Sequence, residues 1–186
     1  MRTAKAMKAL LADLSRDARE IVHHPAAPIE LMEALCKVMG DRLGKPIKLR
    51  LRAFPDSLGA SGLTLQLEHS ILLIVEERTR PEHQLIIAGH ELWHVQNGDC
   101  GDHEGGIAAA ARRFGAEDVP MDVLVAMAAR SGSHAQHEVD AERFGLLVGT
   151  HFRSWLAGPY ARDAPSDRTV AGRIASFLTS PHGPAA

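Results

Sequence analysis

The pentapeptide His90-Glu91-Leu92-Trp93-His94 constrains this chain more than any other segment. In a helix, where about 3.6 residues make a turn, two imidazoles four residues apart project from the same face one turn apart. The flanks agree with a helix. Leu85, Ala88, Leu92 and Trp93 repeat at helical spacing. Thr79-Arg80-Pro81-Glu82 has the form of a capping box, and Asn97-Gly98 is a stop signal. Histidines stacked this way can grip one Zn²⁺, and the glutamate beside the first can polarise a water. His90 and His94 are therefore candidate metal ligands and Glu91 a candidate general base. The plain alternative is two surface histidines on an amphipathic helix.

A zinc site that does hydrolysis needs a third protein ligand and an open fourth position. The best candidate lies in a second helical segment, where Ser133 and Gln136 have capping-box spacing and Phe144, Leu147 and Val148 form an apolar stripe. Glu138 and Glu142 are one turn apart on it, beside the small residues Ala141 and Gly145, which favour close approach to another helix. Glu138 is the expected third ligand. Glu142 is the expected outer partner that accepts a hydrogen bond from a ligating histidine. Rival ligands sit in the glycine-rich loop after the motif, at Cys100 and His103. His134 and His137 are weaker candidates for stabilising an oxyanion.

At these residues the chain resembles the bacterial ImmA/IrrE-type metallopeptidases. These carry H-E-x-x-H and then E-x-E-A-N-x-F-A or a near variant. The resemblance covers roughly residues 45–150 and extends to bacterial proteins labelled toxin component, found beside a helix-turn-helix regulator. It implies a zincin fold in which His90, His94 and Glu138 bind zinc and Glu91 is the general base. Glu142 stands where that family has Asn or Asp, and Asp140 where it often has Glu. It further implies a metalloendopeptidase that cleaves a helix-turn-helix repressor and relieves repression. The alternative is a non-proteolytic regulatory or toxin-like partner that uses the zincin fold as a binding module. Trp93 and the long 99–130 insertion could then obstruct a substrate, although a purely structural site has no need of Glu91.

Composition bounds the rest. At 186 residues the chain suits one domain over 1–186, with N-terminal helices in 1–44, a core in 45–150 and a C-terminal helix and frayed tail in 151–186. A net charge of −2 gives no electrostatic footprint for nucleic acid or an anionic membrane. Two cysteines do not make a disulfide framework. The basic and then apolar start is interrupted by Asp13, Arg16 and Asp17, unlike an export signal, so a cytoplasmic location is expected.

Helical spacing marks segments from Met7 to Val22 and from Ile29 to Leu43, with Cys36 on the second apolar stripe. Strand periodicity follows at Ile47-Leu49-Leu51 and Leu63-Leu65-Leu67, then a continuous apolar run from Ile71 to Val75. Glu68-His69-Ser70 is a hairpin turn. The patterning predicts an α+β fold, a small antiparallel sheet of about three strands packed with the motif helix and several further helices. Short helices are expected at 107–114 and 120–129, and a last amphipathic one near 170–178.

Overall fold

A computed structural model describes residues 2–55, 60–98 and 135–157. Within them the element order is α1 (Arg2–Ala18), α2 (Pro28–Leu43), β1 (Ile47–Arg52), β2 (Gly62–Gln66), β3 (Ile71–Glu76), α3 (Pro81–Asn97) and α4 (Ala135–Phe152), with a 3₁₀ turn at Arg153–Trp155. The fold is α+β. The helices expected at 107–114, 120–129 and 170–178 lie outside the described residues, as do Cys100, His103 and His134. Among the described residues no helix is long and apolar enough to cross a membrane.

The sheet order is β1-β3-β2, and it corrects one expectation. β2 and β3 form the antiparallel hairpin, closed by the Leu67 N–H on the Ser70 carbonyl at 2.9 Å. β1, however, runs parallel to β3, with Ile47 opposite Ile71 and Arg52 opposite Glu76, so the sheet is mixed rather than antiparallel. The reason is hydrophobic. β3 is buried along its whole length, and a strand apolar on both faces belongs in the centre. β1 and β2 alternate, so they take the edges, and the chain passes the central position before the hairpin fills it.

Edge geometry follows from the ladder. The Glu76 N–H reaches the Ser61 carbonyl at 2.8 Å and the Leu67 N–H reaches Ser70, so the odd residues of β2 pair with β3. Antiparallel alternation then turns the peptide groups of Gly62, Thr64 and Gln66 outward. No strand among the described residues pairs with them. On the opposite edge Arg50 Nη1 donates to the outward Leu49 carbonyl at 2.9 Å, which blunts β1.

α2 begins with Pro28 in its first turn, and Glu30 accepts the Ala27 N–H at 3.2 Å. It ends at Gly44, whose φ of +67° is easy only for glycine. Met32, Leu35, Cys36 and Met39 of the predicted stripe are core, and Leu31 is buried with them, whereas Ile29 and Leu43 at the helix ends are exposed. Burial pushes the Cys36 thiol up to about 12, so it stays inert. Met7, Leu10, Leu14 and Ala18 of α1 join the same core.

The start of α3 differs from the expected capping box. A residue before proline is held extended, so Pro81 makes Arg80 the N-cap, at φ −63° and ψ 144°. Thr79 thus stands one place too early, and its hydroxyl donates instead to the Glu76 carbonyl at 3.0 Å. Gln84 Nε2 donates to the same carbonyl at 3.2 Å and to that of Glu77 at 3.1 Å. The helix is therefore tied to the end of β3. Its stop at Gly98 is as the sequence predicts.

Glu76 anchors this junction with its carboxylate as well. That group accepts the N–H groups of Phe54 and Arg78, each at 2.9 Å, and pairs with the Arg78 guanidinium at 2.9 Å. The Arg78 side chain is the largest cause that holds the buried Glu76 carboxyl down to about 2. A depressed carboxylate contributes stability above its unfolded pKa and loses it as pH falls through the folded one. Glu76→Gln should accordingly cost about 2 kcal/mol at pH 7, allowing for screening at the half-exposed Arg78. Denaturant midpoints of parent and variant should converge between about pH 5 and pH 2.

Candidate metal centre

α3 and α4 lie unusually close, because glycines stand where they touch. A Cβ on Gly145 would come within 2.5 Å of the Ile86 carbonyl oxygen, and one on Gly89 within 2.7 Å of Val148 Cβ. Gly149 meets Ile86 in the same way. Ala141 is fully buried beside them. The expectation that small residues let these helices approach is met. Trp93 belongs to this packing, since it is buried and its ring lies 5.1 Å from that of Phe144. It is a core residue of the helix pair.

This approach brings three side chains together. His90 and His94 of α3 face each other with Nε2 atoms 3.0 Å apart. Glu138 of α4 straddles them, with Oε2 3.4 Å from His90 Nε2 and Oε1 3.4 Å from His94 Nε2. Three donors bound tetrahedrally to one ion at 2.0–2.1 Å would stand about 3.3 Å apart. With one ligand atom from each residue, the three lie within 4.8 Å of one another, close enough that the residues present can hold a metal ion. Among the described residues, His90, His94 and Glu138 are the group close enough to do so.

Electrostatics favour the ligating form. Burial is the main cause that lowers the His90 pKa, with His94 adding to it and Glu138 and Glu142 opposing. A neutral imidazole is what a metal needs. The side chain of His94 is 11% exposed and that of Glu138 39%, so Glu138 is the more accessible of the two.

The other predicted residues differ in their fates. Glu142 is exposed, and among the described residues no hydrogen bond joins it to either histidine; it acts on His90 as a charge. Asp140 is half-buried and outside the cluster, and His137 is exposed one residue before Glu138. Glu138→Ala should weaken metal affinity by more than the roughly 10–100-fold typical for loss of an outer partner. Glu142→Ala should cost only about a few-fold, and that loss should vanish in high salt, because an exposed charge is screened. Chelator competition at two ionic strengths checks both.

Glu91 is buried at the back of the site. Burial is the largest cause that raises its carboxyl to about 7; the Thr64 hydrogen bond lowers it and Glu138 raises it further. Thr64 Oγ1 donates to Glu91 Oε2 at 2.8 Å, and Gly62 packs against the same carboxylate. Neither β2 residue is evident as a site residue from the motif. The available signal was the small or polar set Gly62, Thr64 and Gln66 alternating with leucines, which marks a strand face turned toward something polar.

No protein-family model, no curated protein and no solved structure matches the chain.

Proposed function

We propose that the chain is a zinc-dependent metalloendopeptidase that cleaves a helix-turn-helix repressor and so relieves repression. The observation that carries this is the convergence of His90, His94 and Glu138, with the buried carboxyl of Glu91 next to His90 on the same helix. A site that only held the fold together would have no use for such a group. Two imidazoles and one carboxylate are a donor set of zinc hydrolases, with a fourth position left open. His90, His94 and Glu138 would hold the ion. Bound there, zinc supplies Lewis-acid chemistry, activating water and polarising a peptide carbonyl.

The protein's own work is proton transfer and alignment. Glu91 takes a proton from the attacking water as the C–O bond forms. It passes that proton to the amine as the C–N bond breaks. The outward peptide groups of Gly62, Thr64 and Gln66 can receive an extended peptide as a further strand beside Glu91. The repressor as substrate rests on the resemblance of the motif residues, and the net charge of −2 argues for a protein partner over DNA.

Incubation of the zinc-loaded protein with the helix-turn-helix regulator encoded beside it, with and without a chelator, tests the proposal. Discrete fragments that the chelator abolishes are expected. An intact regulator in both samples would overturn the reading.

A further inference from the structure

We propose that Thr64 is the positioning residue for Glu91, its hydroxyl fixing one carboxylate oxygen so that the other is the proton acceptor. This rests on the peptidase reading. The terminal torsion of a glutamate is soft, so an unrestrained carboxylate presents either oxygen in turn. Here the two are made unequal. Oε2 accepts the Thr64 hydroxyl at 2.8 Å, whereas Oε1 accepts no hydrogen bond among the described residues. Gly62 walls the same group: a Cβ there would stand 2.5 Å from Oε1 and 2.9 Å from Cγ of Glu91. Ile87 Cγ2 stands 2.7 Å from the same position, so a side chain there would be blocked on that side too. Only glycine leaves room for the carboxylate, and only a donor at residue 64 stops it turning.

The proton path is then defined. Oε1 takes the proton of the water as its oxygen bonds to the peptide carbon, and returns it to the departing nitrogen, while Oε2 stays on Thr64. Thr64 also sits on the open edge, with its peptide group turned outward. The residue that holds the base therefore belongs to the strand an extended substrate would join. Such shared placement fixes base and substrate in one frame, where a shift of about 1 Å can cost 10²-fold in rate.

The test compares Thr64→Val, Thr64→Ser and Gly62→Ala with the parent, all zinc-loaded. One readout is kcat against KM on the best-cut member of an internally quenched peptide library. The second is the side-chain carboxyl ¹³C signal of Glu91 at fixed pH, assigned by its loss in Glu91→Gln. Valine keeps the shape and removes the donor. It should lower kcat about 10–100-fold at unchanged KM and unchanged zinc affinity, and move the signal. Serine should restore both, and Gly62→Ala should behave like valine. Should valine not be accommodated, alanine against serine makes the same comparison. Thr64→Val with kcat within about twofold of the parent, or serine failing as badly as valine, would overturn the proposal. A parent that cuts no peptide, while the signal still follows the residue-64 hydroxyl, would support the clamp and overturn the peptidase reading instead.

Discussion

Glu91→Gln should bind zinc as tightly as the parent and cleave its substrate about 10²–10⁴-fold more slowly. The amide is nearly isosteric and can still accept the Thr64 hydroxyl, so the packing around Gly62 and Ile87 is kept. It cannot take a proton from water. It also spares the fold the burial of an ionised carboxylate, so loss of activity would not reflect unfolding. Cleavage by the variant at the parental rate would remove Glu91 from the chemistry. Loss of zinc would make it a ligand rather than a base.

Gly145→Val should be the most damaging single change away from the ligands. The added Cβ would start 2.5 Å from the Ile86 carbonyl oxygen and 3.2 Å from the His90 nitrogen, both backbone atoms that cannot turn aside. Overpacking a core typically costs about 1–3 kcal/mol. With backbone as the obstacle the upper end is expected, or roughly 10 °C in melting temperature for a chain of this size. The helices must part, and ligand geometry tolerates only about 0.5 Å. Zinc affinity should therefore fall together with stability, although no ligand is altered. Differential scanning calorimetry with a chelator titration reads both. A variant that melts like the parent would show that the helix contact is soft.

The motif helix and its partner were legible because their signals are local. His90 and His94 declare one face through spacing alone, and Glu138 beside Ala141 declares another. Sheet order was not local. Ile71 to Val75 reads as a buried strand, but its place between β1 and β2 depends on what the chain has already laid down. Pro81 misled for a different reason: proline in the first turn fits a capping box, yet it also moves the cap to Arg80 and releases Thr79 to Glu76. The anchoring role of Glu76 is not legible in the sequence, because its contact with Phe54 spans 22 residues. The anchoring of Glu91 by Thr64 spans 27 residues, and no periodicity reports which strand lies against which helix.

The split of the donor set between α3 and α4 has a thermodynamic consequence. In the unfolded chain, His94 and Glu138 are separated by a long stretch of sequence, so the ion prefers the folded state strongly. Binding then adds to folding free energy as a function of free-ion concentration, by about 4 kcal/mol at a thousand times the dissociation constant. Melting temperature becomes an ion titration that needs no substrate. With an ion held there, cellular availability of the metal would help set how much of this protein is folded.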